Sequence, residues 1–255
     1  MTGSPAWILS LENVSVQFGG LKALDSVTFQ IAPGAVTGVI GPNGAGKTTL
    51  FNVLSGIYAP TEGRILLRDA KGVERPLEGL GIRLGLPEVT RLGVARTFQN
   101  LRVFPELTVR EHLRVAKLGG SLDGAAAAMD SDLDWAVSLF GLAESMDVQA
   151  KALPYGHQKK LEILRAFATG ARVLLLDEPA AGLNPAETHE LTRAIAELSS
   201  RKGISIVVIE HDMKLVMKLC SSICVLDFGR KIAQGTPVEI QKHPDVLRAY
   251  LGDLA

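Results

Sequence analysis

Apolar and polar residues alternate over the first part of the chain. From Leu9 to Phe18 and from Leu24 to Ile31 the apolar positions recur about every second residue, and Gly19 and Gly20 separate the two runs. A two-residue period with a glycine turn is typical of antiparallel strands. We therefore predict an antiparallel sheet near the start of the chain, with a further short strand at Gly63–Leu67.

The second pattern consists of short, largely apolar runs separated by helical segments. These runs are Ala35–Ile40, Val173–Leu176, Ile204–Ile209 and Ile223–Asp227. Strands of this kind are typical of a parallel sheet that is covered on both faces. Helices are predicted at Thr48–Leu54, after Gly156 with Leu161, Leu164 and Ala168 inward, after Asn184 and Pro185, and at Asp212–Cys220. The pattern predicts an α/β core.

A helical segment interrupts this core roughly between residues 100 and 160. Thr108 and Glu111 have the spacing of a capping box, and Asp132–Phe140 is amphipathic. The alanine-rich stretch Ser121–Met129 also favours a helix. Near the end of the chain, Thr236 and Glu239 predict another helix start and a short C-terminal helical tail.

Composition narrows the function classes. The 255 residues carry 27 basic and 27 acidic side chains, so the net charge of zero gives no electrostatic footprint for nucleic acid. No run of 18 uncharged apolar residues predicts a membrane span, and the first ten residues lack the basic region of a secretory signal. Cys220 and Cys224 fit a reducing compartment, as two plain buried thiols.

One glycine-rich segment has a spacing that points to phosphate chemistry. Gly41-Pro-Asn-Gly-Ala-Gly-Lys47-Thr48 matches the G-x-x-x-x-G-K-[ST] pattern, between a predicted strand and a predicted helix. Glycines let backbone N–H groups approach phosphate oxygens, and the helix N-terminus adds its positive dipole end. We predict that Lys47 reaches the β- and γ-phosphates and that Thr48 offers its hydroxyl to Mg²⁺. The predicted nucleotide-binding residues here are Gly41, Pro42, Asn43, Gly44, Ala45, Gly46, Lys47, Thr48 and Thr49.

A second candidate site follows the apolar run Val173–Leu176. Asp177 and Glu178 come at the end of this predicted strand, where ligands bind in parallel sheets. We predict Asp177 as a ligand of Mg²⁺ and Glu178 as the general base for an attacking water. The alternative is a solvated pair of carboxylates that caps the strand end. The presence of Lys47 and Thr48 in the same chain disfavours this alternative.

Four further segments resemble motifs of the ATP-binding-cassette ATPases. Leu153-Pro-Tyr-Gly-His-Gln158 resembles the signature motif, Gln99 the glutamine loop, Ala181–Pro185 with Asn184 the D-loop, and His211 the switch histidine, while Phe18 occupies the place of the adenine-stacking aromatic. Their order and spacing fit this family over nearly the whole chain. The resemblance implies catalytic roles for Gln99 and His211 beside Glu178, a place for Gln99 near Mg²⁺, and nucleotide contacts by Phe18, Tyr155, Gly156, His157 and Asn184.

Each of these residues also has a simpler interpretation when it is taken alone. His211 suits a strand end, Gln99 an ordinary loop, Phe18 the core, and Asn184 a helix N-cap. The constellation favours the functional interpretation.

Two departures from the family pattern stand out. Pro154 replaces the usual signature serine and Tyr155 the usual first glycine, so that one hydroxyl and one N–H are lost. Asn184 replaces the usual D-loop aspartate. Both changes concern the contact across a dimer interface more than the reaction itself.

Sequence details resemble the ATPases of high-affinity branched-chain amino acid importers, and among them the larger of the two ATPases that usually pair. The resembling segments are Ala95–Phe104, Tyr155–Ile163, Leu176–Pro185 and the tail after Gly235. The resemblance implies ATP and Mg²⁺ as cofactors, and a dimer of ATPase chains, identical or paralogous. It also implies two membrane permease subunits, a solute-binding protein outside the membrane, and a place on the cytoplasmic face of the membrane. Phe98 and Leu101–Phe104 are the candidate permease-docking surface, or else core of the helical segment.

The expected fold is therefore α/β, a P-loop NTPase (RecA-like) core with an antiparallel β subdomain and an inserted α-helical subdomain. Within one nucleotide-binding domain we place the core at residues 1–98 and 161–235, the helical subdomain at 99–160 and the tail at 236–255. The alternatives are an ATPase for lipopolysaccharide export or urea uptake, and a soluble non-transport cassette protein such as an iron–sulfur assembly ATPase.

Overall fold

A computed structural model of the chain describes residues 7–69, 71–77, 86–99, 101–120 and 130–251. The predicted helix at Ser121–Met129 lies outside these residues. In the described part the strands are β1 (Leu9–Phe18), β2 (Leu21–Ile31), β3 (Val36–Ile40), β4 (Glu62–Arg68), β5 (Glu74–Pro76), β6 (Val94–Arg96), β7 (Val173–Asp177), β8 (Ser205–Ile209), β9 (Ser222–Asp227) and β10 (Arg230–Gly235).

The helices of the same part alternate with these strands. They are α1 (Lys47–Leu54), α2 (Leu86–Arg91), α3 (Val109–Leu118), α4 (Asp130–Leu139), α5 (Tyr155–Ala168), α6 (Pro185–Lys202), α7 (Met213–Leu219), α8 (Pro237–Gln241) and α9 (Pro244–Leu251), with 3₁₀ turns at Ala143–Ser145 and Ala150–Ala152. None of the described helices combines the length and the apolarity that a membrane crossing requires.

Two sheets form the framework. The first is antiparallel, with the strand order β2-β1-β4-β5. The second has the order β10-β9-β3-β8-β7-β6, and all its neighbouring strands are parallel except the edge pair β9 and β10. In a parallel sheet of this kind β3 and β7 end at the same edge, which brings the segments after Ile40 and Asp177 together.

The second sheet is buried on both faces, because alternate residues of each strand enter two different cores. Val36, Leu174 and Ile206 pack with the helices α5, α6 and α7. Val39, Leu175 and Val207 face the opposite side, where α1 and the antiparallel sheet cover them. This arrangement explains why these strands are apolar throughout instead of alternating.

The helices of the inserted segment pack on α5. Helix α3 contacts α5 most extensively, and α4 also lies against it. An isolated bridge between Thr108 and Gln149 joins the start of α3 to the segment before α5. The N-terminal end of α5 is therefore fixed both to the insert and to the sheet.

The structure confirms the predicted α/β fold and most of the predicted elements. The helix caps predicted at Thr108, Asn184 and Thr236 are present, and each is a capping box with both reciprocal hydrogen bonds. Cys220 and Cys224 are free and buried, and burial raises the pKa of each thiol to about 12. The sequence analysis missed the short strands β5 and β6, the edge strand β10 and helix α2, and the C-terminal tail contains two helices.

Candidate functional site

The glycine-rich loop connects the central strand β3 to helix α1. Two of its glycines stand where no side chain fits. A Cβ on Gly41 would come 2.1 Å from the carbonyl oxygen of Leu226, and Gly46 has a φ of +100° with the carbonyl of Ala23 2.7 Å from its Cβ position. The loop therefore packs directly against the backbone of β9 and β2, and only glycine allows this approach.

Lys47 begins α1 and folds back over the loop. Its Nζ donates hydrogen bonds to the carbonyl oxygens of Gly41 at 2.7 Å and Pro42 at 2.9 Å. Burial lowers the pKa of Lys47, and the nearby Glu178 carboxylate opposes this shift. The ammonium group is thus held at the mouth of the loop, close to the second predicted motif.

A cleft of about 510 Å³ opens above the loop. Asn43 through Thr49 form its floor, and Gln99 and Glu178 lie on one wall. The opposite wall consists of Leu21, Lys22, Ala23, Phe228 and Gly229. The cleft is the place where the predicted phosphate loop, the predicted base and the predicted glutamine meet.

Asp177 and Glu178 differ sharply in environment although they are adjacent. Asp177 is buried, and its Oδ2 accepts a hydrogen bond from Arg96 Nη2 at 2.8 Å. Glu178 follows the end of β7 with a φ of +47°, a conformation that costs a non-glycine residue about 1–2 kcal/mol. Its backbone N–H donates to the carbonyl of Ile209. This turn points Glu178 into the cleft while Asp177 stays in the sheet.

Gln99 and His211 both reach the Glu178 carboxylate. Gln99 Nε2 donates to Glu178 Oε2 at 3.1 Å, and His211 Nδ1 lies 3.7 Å from Glu178 Oε1. Beside them Glu210 is buried and accepts hydrogen bonds from the backbone N–H groups of Ala180 and His211. Burial raises the pKa of Glu210. Two residues from distant segments, Gln99 and His211, therefore converge on one carboxylate at the cleft.

Phe18 does not line this cleft. It is half-exposed, and its ring packs edge-to-face on Tyr58 with the centroids 5.2 Å apart. The aromatic residue on the cleft wall is Phe228, which is 87% exposed in the turn between β9 and β10. The sequence analysis missed Phe228, because an isolated aromatic before a glycine carries no motif. The role of Phe18 in adenine stacking stays a prediction.

The signature segment forms the start of α5, away from the cleft. Pro154 is the N-cap residue, and its carbonyl accepts hydrogen bonds from the N–H groups of His157 and Gln158. The Tyr155 hydroxyl lies 3.4 Å from the carbonyl of Ala181, and Gly156 approaches Glu187. Asn184 accepts the N–H of Glu187 at 3.0 Å as the N-cap of α6. Tyr155 and Asn184 are exposed on the outside of this chain, whereas His157 is partly buried and Gly156 is buried against Glu187.

A second concave surface lies between α3, α5 and the segment after β6. This groove of about 530 Å³ is lined by Arg96, Phe98, Arg102, Phe104, Val115 and Arg165, among others. Phe104 and Val115 are about half exposed. Of the predicted docking residues, Phe98 and residues 102–104 line this groove, and Leu101 is partly buried outside its lining.

Comparison with known proteins identifies the family of this chain. The ABC transporter family model matches residues 24–181, which include the glycine-rich loop, the signature segment and Glu178. The chain belongs to the ABC transporter ATPases. A second model, the branched-chain amino acid ATP-binding cassette transporter C-terminal family, matches residues 230–255. As an ABC ATPase, the chain binds and hydrolyses ATP.

Curated relatives of this ABC ATPase match over almost their whole length. It is 45% identical to the high-affinity branched-chain amino acid transport ATP-binding protein LivG of Escherichia coli, over 96% of this chain and 98% of that one. It is 42% identical to the corresponding protein BraF of Pseudomonas aeruginosa, with the same coverage.

Solved structures also match the ABC ATPase throughout. An ATP-binding cassette of an ABC transporter in its ADP conformation has a TM-score of 0.80 at 30% identity, and covers 96% of this chain and 99% of its own. The protein cbiO1 from Clostridium perfringens, part of the ABC transporter complex cbiONQ, has a TM-score of 0.80 at 28% identity, over 98% of this chain and 96% of its own. The predicted P-loop NTPase core with its antiparallel and helical parts is confirmed.

Proposed function

We propose that this ABC ATPase is the larger ATP-hydrolysing subunit of an importer for branched-chain amino acids. The observation that carries the proposal is the 45% identity to LivG over nearly the full length of both chains. The match of residues 230–255 to the branched-chain amino acid cassette model supports it independently. Because the solute contacts the permease and binding proteins and not the ATPase, the solute class rests on these likenesses.

ATP binds through the glycine-rich loop in this proposal. Residues 41–49 supply backbone N–H groups, the N-terminus of α1 adds its dipole, and the Lys47 ammonium meets the β- and γ-phosphates. Lys47 exchanges its two carbonyl partners for phosphate oxygens, which are stronger acceptors. Phe18 stacks on the adenine, a contact of about 1–3 kcal/mol by analogy with other stacked bases.

Mg²⁺ fits the oxygen donors at the same place. Thr48 lines the cleft with a hydroxyl, Asp177 ends strand β7 with a carboxylate, and Gln99 offers an amide oxygen. Hard oxygen donors of this kind, together with phosphate, are what Mg²⁺ prefers. When bound, the ion neutralises charge that develops on the phosphates.

Glu178 acts as the general base for hydrolysis. Its carboxylate takes a proton from water while the water oxygen bonds to the γ-phosphorus and the bond to the bridging oxygen breaks, which releases ADP and phosphate. His211 and Gln99 hold the carboxylate and the water in line, since both already contact Glu178. The strained backbone at Glu178 aims it at the cleft before substrate arrives.

Two ATPase chains, identical or paralogous, complete the site. The segment that contains Tyr155, Gly156 and His157, together with Asn184, lies against the nucleotide of the partner chain. Since Pro154 has no hydroxyl and the His157 N–H is bonded within the chain, the contact rests on the N–H groups of Tyr155 and Gly156 at the first turn of α5.

Coupling to transport takes place at the groove lined by Phe98 and Arg102–Phe104. One permease subunit docks a helix in the groove of each ATPase chain. Closure of the ATPase dimer moves the helical subdomain and, with it, the docked permease helix. The ATPase stays on the cytoplasmic face of the membrane through these partners, while a solute-binding protein delivers the amino acid from the other side.

The deciding experiment is solute-stimulated ATP hydrolysis by the complex reconstituted in lipid vesicles with its permeases and binding protein. We expect leucine, isoleucine and valine to stimulate phosphate release, and urea to have no effect. Stimulation by urea alone, or stable association with iron–sulfur assembly proteins in place of permeases, would overturn the proposal.

A further inference from the structure

Arg96 is a buried arginine between the nucleotide cleft and the groove. It ends the edge strand β6, opposite Leu175 of β7, and its side chain is 4% exposed. A guanidinium so deeply buried is costly unless its donors are paired. The groups that accept hydrogen bonds from the Arg96 guanidinium therefore indicate its role.

On the cleft side, Arg96 holds Asp177 and α1 at the same time. Nη2 donates to Asp177 Oδ2 at 2.8 Å, while Nη1 donates to Asn52 Oδ1 at 2.7 Å and to Ser55 Oγ at 3.2 Å. The planar guanidinium fixes the direction of all these bonds, which a lysine ammonium does not. The carboxylate of Asp177 is thus set relative to the helix that begins with Lys47 and Thr48.

On the groove side, the same guanidinium rests on Phe98. Arg96 Cζ lies 5.2 Å from the centroid of the Phe98 ring, and Arg102 Cζ lies 3.8 Å from it. The backbone N–H of Phe98 donates to the buried Glu162 at 3.2 Å, and both Arg96 and Phe98 line the groove. A segment that fills the groove therefore contacts Phe98, the ring on which the Arg96 guanidinium rests.

We propose that Arg96 is a positioning residue that orients Asp177 for the metal–nucleotide complex and ties this orientation to the state of the groove through Phe98. The first half needs only the ATPase chain. The second half rests on the proposed function, because the occupant of the groove is the permease helix.

Removing Arg96 leaves a buried carboxylate without its partner. Asp177 is then no longer held in one orientation and turns to other donors, which weakens a metal site. Substituting a residue that orients a metal ligand typically lowers metal affinity about 10- to 100-fold. We therefore expect an effect on the metal that is separate from nucleotide binding.

The test uses the whole ATPase chain with ADP, and Mn²⁺ as a paramagnetic probe followed by electron paramagnetic resonance. For Arg96→Met we expect Mn²⁺ affinity of the ADP complex to fall about tenfold, and ADP affinity in excess EDTA to stay within about twofold of the wild type. Arg96→Lys keeps the charge but not the planar fork, so we expect it to stay several-fold weaker. Arg110→Met is the matched control, because Arg110 is also an ion-paired arginine, with Asp147, and contacts neither Asp177 nor Phe98.

Asn52→Ala serves if Arg96→Met does not fold, since it removes one of the two acceptors of Nη1 and leaves the ion pair in place; we expect a smaller loss of Mn²⁺ affinity. Mn²⁺ binding by both Arg96 variants within about twofold of the wild type, or tighter, would overturn the proposal. Full rescue by Arg96→Lys would also overturn it, because charge alone would then suffice.

The link to the groove is tested with Phe98→Leu, which keeps an apolar side chain and removes the ring. We expect a several-fold loss of Mn²⁺ affinity in the isolated chain, and unchanged affinity would overturn this half. A reconstituted complex without solute stimulation counts against the proposed function instead, and it leaves the Mn²⁺ result of the isolated chain standing.

Discussion

At the scale of single residues, the site depends on backbone positions that few residues adopt. Gly41 and Gly46 allow the loop to touch neighbouring backbone, and Glu178 occupies the left-handed region at φ +47°. Phe228 does the same at φ +41° in the turn before Gly229. Such positions cluster where a side chain must be aimed, and here both non-glycine residues, Glu178 and Phe228, line the cleft.

Glu178→Gln tests the general base. The glutamine amide keeps the size of the side chain and the hydrogen bond with Gln99, but it cannot accept a proton from water. We therefore expect phosphate release to fall at least about 100-fold. ATP affinity, measured by fluorescence titration, should persist because the phosphate loop is intact.

Glu210→Gln is the matched control for this prediction. Glu210 is the neighbouring carboxylate at the end of β8, but it accepts backbone N–H groups and does not line the cleft. Its amide variant should hydrolyse ATP within a few-fold of the wild type. Equal losses in both variants would contradict the assignment of Glu178.

At the scale of elements, helix ends fix several of the functional segments. Asn184 caps α6 and shares this capping box with Glu187, which also lies against Gly156. The capping role and the D-loop position therefore fall on the same residue. Substitutions of Asn184 that remove or keep the cap measure the contribution of the capping role.

Asn184→Ala removes the cap and Asn184→Asp keeps it. We expect the alanine variant to lose about 1 kcal/mol of unfolding free energy, and the aspartate variant to match the wild type or exceed it slightly, since a carboxylate also suits a helix N-terminus. Urea denaturation of the nucleotide-free chain measures both. Equal stability of the alanine variant would show that the cap contributes nothing.

A buried histidine holds the groove wall on α3. His112 Nδ1 lies 2.8 Å from the carbonyl of Thr108, and Nε2 accepts the N–H of Phe104 at 2.9 Å. This network requires the neutral ring, with its proton on Nδ1. Burial accordingly lowers the pKa of His112. No sequence motif indicated a role for this residue.

The sign of the resulting pH dependence follows from linkage. Since the pKa of His112 is lower in the folded chain than in the unfolded chain, its contribution is complete above the unfolded value of about 6.5 and is lost as the pH falls below it. We expect wild-type unfolding free energy to drop more between pH 7.5 and pH 5.5 than that of His112→Gln, which does not titrate. Parallel pH curves for the two proteins would contradict this expectation.

At the scale of the whole molecule, one chain presents the two parts of the proposed composite site in separate places. The cleft contains the phosphate loop and Glu178, whereas the signature segment faces outward from the start of α5. Two chains placed head to tail would bring each half against the other, which is the basis of the proposed dimer.

Tyr155→Asp tests this division between binding and assembly. The substitution places a charge on an exposed residue of the signature segment, which does not line the cleft of the same chain, and an acidic residue suits the first turn of a helix. We expect ATP affinity of the isolated subunit within about twofold of the wild type, and hydrolysis by the reconstituted complex reduced at least about tenfold. Lys47→Ala, as the comparison variant, should lose both. Undiminished hydrolysis by the Tyr155 variant would speak against a composite site.

Much of this fold was predictable because its signals are local. The glycine-rich loop stands between a strand and a helix, the three capping boxes lie within four residues each, and the doubly buried strands are apolar over short runs. The sequence alone also indicated Asp177 and Glu178, since both follow a strand of this kind. Local hydrogen bonding and the periodicity of each element suffice for these predictions.

The tertiary structure alone decided which distant residues meet. Arg96 pairs with Asp177 across 81 positions of sequence, and only the parallel pairing of β6 with β7 brings them together. Strand β6 has three residues, too few for a period to register, and Phe228 reaches the cleft because the β9–β10 turn packs on the phosphate loop. Such contacts depend on strand order and register, which are set by the packing of the whole core and leave no pattern within any one segment.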